Sequence, residues 1–140
     1  MLQWHGAWRD IAARQRLSVL HTARLFAMLA TTASDALIGC WDSKYEYAFW
    51  RPVTTIRAGG GNPALLADPT WIGVVTTPNH PEYPAAHGCF SGSVVELLTA
   101  YFGTDQIHFT MTSPAPGLSY SVRSYDRFSD ALTDILNARI

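Results

Sequence analysis

Three short stretches of this 140-residue chain carry side chains that can handle an oxyanion. The first is Lys44-Tyr-Glu-Tyr-Ala-Phe-Trp-Arg51-Pro52, and Lys44 is the only lysine in the sequence. Lys44 and Arg51 are seven positions apart, two turns of a helix, so the spacing predicts that they share a face. Two fixed cations walled by Tyr47, Phe49 and Trp50 would clamp an oxyanion in a poorly hydrated setting, where charge-assisted hydrogen bonds are strong. The alternative is an ordinary exposed pair with stems laid on apolar surface. The second stretch is Pro81-Glu-Tyr-Pro84-Ala85-Ala86-His87-Gly88. Here a proline-stiffened segment delivers a helix start, whose first N–H groups have no intrahelical partner and attract anions. Ala85, Ala86 and Gly88 are small enough to let an oxyanion approach the backbone. His87, in the first turn, is positioned to give or take a proton; the alternative is a core histidine bonded to a carbonyl. The third is Asn137-Ala138-Arg139-Ile140. Arg139 continues the Phe128, Leu132, Ile135 stripe and so points inward, where it wants an anion; a terminal arginine can also fray into water.

Other groups read as structural. His80, His87 and Cys89 match no metal-ligand spacing. Asp126, Asp130 and Asp134 lie at i, i+4 and i+8, a solvated acidic face rather than a magnesium site. Ser91 lacks the strand–turn–helix setting of a nucleophile elbow. Trp4, Trp8, Trp41 and Trp71 read as packing, and Cys40 and Cys89 as buried thiols.

The elements that must position these groups are mainly helical. A first helical stretch spans about Trp8–Ile38, with a break near Ser18, a plausible N-cap for its second half. Val19, Leu20, Ala23, Phe26, Ala27 and Ala30 supply its apolar face. A second helix, Trp41–Trp50, should stop at Arg51-Pro52 because proline disfavours helix in the residue before it. Ala58–Pro63 and Thr77–Pro84 are breakers. A third helix runs from near Pro84 to Phe102, with Phe90, Val94, Leu97 and Tyr101 as its stripe. Thr110–Gly117 is a loop, and a fourth helix starts near Ser124. The best strand candidate, Trp71–Thr76, is short.

Length and composition bound the rest. The chain fits one domain, residues 1–140. Its charged share of 15% is low, which suggests a surface that a further segment or a second copy covers, so homo-oligomers are possible. A net charge of −1 provides no field for nucleic acid or an anionic membrane. No apolar run is long enough to span a membrane. Met1–Asp10 has neither a basic start nor an apolar signal core, and the compartment stays unknown.

Taken together, the three stretches resemble the superfamily of vanadium-dependent haloperoxidases and type 2 phosphatidic acid phosphatases. Its pattern is Lys-x6-Arg-Pro, then Pro-Ser-Gly-His, then Ser-Arg followed by a second histidine. Lys44, Arg51 and Pro52 match the first part fully. Pro84-Ala85-Ala86-His87 matches the second with alanine for both serine and glycine, and Ala138-Arg139 resembles the third with its serine replaced. Trp41-Asp42-x-Lys44-Tyr45, Phe49-Trp50-Arg51-Pro52-Val53-Thr54 and Pro81-Glu82-Tyr83-Pro84 resemble the soluble haloperoxidase-like branch, members of which are often secreted. The resemblance implies an all-α helical bundle, incomplete at its C-terminal end. It implies that Lys44, Arg51 and Arg139, with the backbone at Ala86, hold vanadate or phosphate, and that His87 is the acid/base. Vanadate would be the cofactor, with hydrogen peroxide and halide as substrates. The other reading is a phosphohydrolase with no metal, acting on a phosphate ester; a third is a non-catalytic helical fragment. The family's second histidine falls past Arg139, beyond Ile140, so the resemblance implies a truncated member with little turnover.

Overall fold

The computed structural model describes residues 2–64, 66–113 and 122–138. Along these the elements are α1 (Leu2–Arg14), α2 (Val19–Tyr47), α3 (Pro52–Ala58), α4 (Ala86–Phe102), β1 (Phe109–Thr112), β2 (Val122–Tyr125) and α5 (Phe128–Asn137). The architecture is a helical bundle with one small antiparallel strand pair. Arg139 and Ile140 lie outside the described residues, as do Pro114–Gly117 of the expected second loop.

The break before α2 falls where the sequence placed it. Ser18 has an extended backbone, and its side chain accepts the His21 N–H, capping the helix. Beyond that, α2 is one helix of 29 residues, roughly 43 Å long, where two had been expected. Nothing between Ile38 and Trp41 breaks it, and Gly39 is tolerated within it. Its buried stripe is Leu25, Leu29, Ala33, Cys40 and Lys44, with Leu37 partly buried between. The steps of three and four residues keep these groups on one side. This corrects the expected face. Val19, Leu20, Ala23, Ala27 and Ala30 point to solvent, and only Phe26 of that set packs on the core. Both stripes have helical period, so periodicity alone could not choose between them.

The core forms where α2 crosses α4 and where α1 and α5 close over the strand pair. Trp4, Trp8 and Ile11 of α1 meet Leu25 and Leu29 of α2, Phe90, Val94 and Leu98 of α4, Phe109 of β1 and Phe128 of α5. Trp4 Nε1 donates to Ser91 Oγ at 3.0 Å, both buried, which pins α1 to α4. Of the expected α4 stripe, Phe90 and Val94 are buried while Leu97 and Tyr101 pack at the margin.

No strand forms at Trp71–Thr76, which bends at Val74 and Val75 and whose Val74 is fully exposed. Strands form instead at β1 and β2, with Phe109 opposite Tyr125 and Thr112 opposite Val122. A strand needs a partner, and this pair gains one through its aromatics. Phe109 stacks on Tyr125 at 5.5 Å and packs against Phe128 at 5.6 Å. Among the described residues no helix is long and apolar enough to cross a membrane.

Candidate functional site

The buried stripe of α2 ends in a cation. Lys44 is one step beyond Cys40 on that stripe, so helix geometry drives its side chain inward, leaving 1% of it exposed. The ammonium finds acceptors there: Nζ donates to the carbonyls of Pro81 at 2.6 Å and Glu82 at 3.2 Å. It also lies 5.8 Å from the Trp41 ring centre, within cation–π range. Lys44 thus fastens the segment before α4 to the end of α2.

Arg51 reaches the same place from another element. The expectation that Lys44 and Arg51 share one helix face is corrected: α2 stops at Tyr47, and Ala48 turns left-handed, with φ 42° and ψ 42°. Arg51 is extended ahead of Pro52 and caps α3, its carbonyl accepting from Thr54 and Thr55. Its guanidinium is taken up from two sides. Nε donates to the His80 carbonyl at 2.9 Å, Nη2 lies 2.9 Å from His80 Nδ1, and Nη1 lies 3.0 Å from Glu82 Oε2. His80 Nδ1 also lies 3.1 Å from the Pro81 carbonyl, so the tautomer sets whether it accepts from Arg51 or donates to Pro81. Trp41 backs this imidazole edge-on at 4.9 Å. Tyr47, Phe49 and Trp50 do not wall the cations; all three are exposed. They sit at the helix end and in the turn that follows it, where their rings project away from the bundle.

The segment at 78–85 carries the acceptors and leads into α4. His80 N–H donates to Pro78 O, and Glu82 N–H to Phe49 O at 3.0 Å. The helix begins at Ala86, two residues after Pro84, with Ala85 as an extended N-cap that provides no side-chain hydrogen bond. His87, in the first turn, is exposed rather than packed in the core. Gly88 lets α5 come close: a Cβ there would meet Leu136 Cδ2 at 3.1 Å.

Lys44, Arg51, Ala86 and His87 line one cavity of about 300 Å³, together with Pro78, His80, Glu82, Ala85, Ile135 and Ala138. Such a volume holds a tetrahedral oxyanion and several waters, each water taking roughly 30 Å³. The lining is suited to an anion in chemical terms, with two cations, a helix start without a side-chain cap and two imidazoles set against one carboxylate, Glu82. Arg139 lies outside the described residues, while its neighbour Ala138 is on the cavity wall.

Two lining residues were missed by sequence reasoning, His80 and Glu82. The sequence offers His80 only as a metal-ligand candidate and gives Glu82 no role of its own. The available signal was a charged and an aromatic polar side chain inside a segment with prolines at 78, 81 and 84, which cannot be an ordinary solvated helix face. Nearby, Cys40 is buried and Cys89 partly so, which corrects one half of the reading of both as buried. Burial, followed by a hydrogen bond with the Cys89 thiol, pushes Cys40 up to about 11. Of the acidic ladder, Asp126 pairs with His108 at 2.7 Å, and Asp134 pairs with Arg123 and accepts from Tyr125 Oη at 3.0 Å.

Comparison with known proteins bears on the same region. A family described as the VCPO second helical-bundle domain matches residues 24–140. Vanadium chloroperoxidase of Curvularia inaequalis is 36% identical over an alignment of 90 residues that covers 57% of this chain and 14% of that protein. The crystal structure described as the first bacterial vanadium-dependent iodoperoxidase superposes with a TM-score of 0.80 at 28% identity, covering 95% of this chain and 30% of that one. The chain thus spans less than a third of the length of either relative. A family match over most of the sequence, joined to a bundle that superposes along nearly its whole length, makes this chain a member of the vanadium haloperoxidase family.

Proposed function

We propose that the cavity between α2, α4 and α5 binds vanadate and serves peroxide-driven halide oxidation. The observation that carries this reading is the convergence of Lys44, Arg51 and His87, from three separate elements, on one cavity with room for an oxyanion. Arg51 and the first-turn backbone at Ala86 would hold anionic oxygens, with Lys44 contributing a buried positive charge behind them. His87, exposed at the cavity edge, would pass a proton between solvent and the bound oxyanion or peroxide. The residues fit the group on chemical grounds, since each donor suits oxygen rather than a bare metal cation. Bound vanadate supplies the Lewis-acid centre at which peroxide becomes able to oxidise halide. Hydrogen peroxide and a halide are the substrates, and the two relatives, a chloroperoxidase and an iodoperoxidase, favour this chemistry over phosphate-ester hydrolysis.

The test is vanadate binding followed by calorimetry, beside iodide and bromide oxidation with peroxide and hydrolysis of a generic phosphate ester. Arg51→Leu should weaken vanadate binding at least tenfold, since one charge-assisted contact is worth about 1.5–3 kcal/mol. His87→Ala should lower any halide turnover by about a hundredfold or more while leaving the chain folded and vanadate still bound. Unchanged vanadate affinity in Arg51→Leu, or ester hydrolysis without halide oxidation, would overturn the reading.

A further inference from the structure

An oxyanion pocket should be lined by donors and cations, yet this one contains a carboxylate. Glu82 is the one acidic side chain among the described lining residues. It is not a loose surface group. Its N–H donates to Phe49 O at 3.0 Å, and its carbonyl accepts from Lys44 Nζ at 3.2 Å. Its Oε2 sits 3.0 Å from Arg51 Nη1, with both side chains largely screened from solvent. The backbone is fixed on two sides, so the carboxylate stays beside the guanidinium that an incoming anion would use.

We propose that Glu82 sets the charge selectivity of the pocket, penalising doubly charged tetrahedral oxyanions more than singly charged ones. The inference rests on the reading of the cavity as an oxyanion site. Arg51 and Lys44 contribute two positive charges and Glu82 offsets one, so the pocket attracts each added ligand charge less than the two cations alone would. A dianion entering the same space meets the carboxylate at short range, and that repulsion grows in proportion to the ligand's charge. The other polar groups facing Glu82 do not offset it. His80 is engaged between Arg51 and the Pro81 carbonyl, His87 stands at the exposed edge, and α5 and its C-cap contribute only the apolar side chains of Ile135 and Ala138. Glu82 is the carboxylate counter-ion of Arg51.

Tungstate and perrhenate separate charge from shape, being tetrahedral anions of nearly equal size that carry two charges and one at pH 8. Binding of each would be measured by calorimetry on the full chain, in wild type, Glu82→Gln and Glu82→Asp. Glu82→Gln keeps an acceptor for Arg51 and removes the charge. It should tighten tungstate on the order of tenfold and perrhenate only about threefold, because the repulsion scales with ligand charge. Glu82→Asp should keep the wild-type ratio. Equal changes for the two anions, or weaker binding in Glu82→Gln, would overturn the charge-selectivity inference while leaving the oxyanion site standing. Absence of binding by either anion in both wild type and Glu82→Gln would overturn both.

Discussion

Replacing Lys44 by methionine tests whether one buried ammonium holds the site together. Methionine keeps the length and most of the volume of the stem, so the neighbouring stripe of α2 stays packed. What is lost is the donor to two carbonyls, Pro81 O at 2.6 Å and Glu82 O at 3.2 Å. Leaving a buried acceptor unsatisfied costs about 1–3 kcal/mol, so two of them cost roughly 3 kcal/mol after some access of water from the cavity. For a chain of this length that corresponds to a fall in Tm of roughly 10 °C. The loss should also be local. Glu82 N–H, bonded to Phe49 O, lies on the released segment, so its hydrogen exchange should accelerate more than that of the α4 core around Val94 and Leu98. Thermal melts followed by circular dichroism, with amide exchange read by mass spectrometry or NMR, provide both measurements. A Tm within about 2 °C of wild type with unchanged exchange at Glu82 would refute the idea that Lys44 fastens this segment.

Two further predictions concern groups outside the cavity lining. Burial raises the Asp10 pKa, but hydrogen bonds from Arg14 and from the Thr110 N–H and hydroxyl outweigh it, and the carboxyl ends below its ordinary value of 3.8. A depressed folded pKa contributes stability above the unfolded value that is lost as pH falls through the folded one. Asp10→Ala should therefore cost about 2 kcal/mol at pH 7, with the deficit against wild type shrinking below about pH 4; a deficit independent of pH in urea melts would contradict this. For Cys40, raised to about 11 by burial and by the Cys89 thiol, on the order of one molecule in a thousand is thiolate at pH 8. Iodoacetamide should label it slowly in the folded chain, faster by about tenfold per pH unit, and at an ordinary thiol rate in denaturant; equal rates at pH 8 with and without denaturant would count against it.

The fold and the grouping of the site were legible to different degrees. Ser18 announced the start of α2 through a local hydrogen bond, which sequence reasoning handles well. The paired strands were missed because β1 and β2 gain their identity from each other and from the rings of Phe109, Tyr125 and Phe128, a non-local cause. The buried face of α2 was misread because α4 and α1, rather than the periodicity, decide which of two apolar stripes is covered.

The sequence by itself determined which groups are available: one lysine, an arginine ahead of a proline, a helix start with small residues and a histidine. Those are fixed by residue type and by the local preferences of proline and the helix end. Only the tertiary structure decided that Lys44 points inward to backbone carbonyls, that Arg51 arrives from a different helix, and that His80 and Glu82 share the cavity. Such encounters join residues some 30 to 40 positions apart along the chain. They depend on the docking of α2 against α4, and no local spacing encodes that contact.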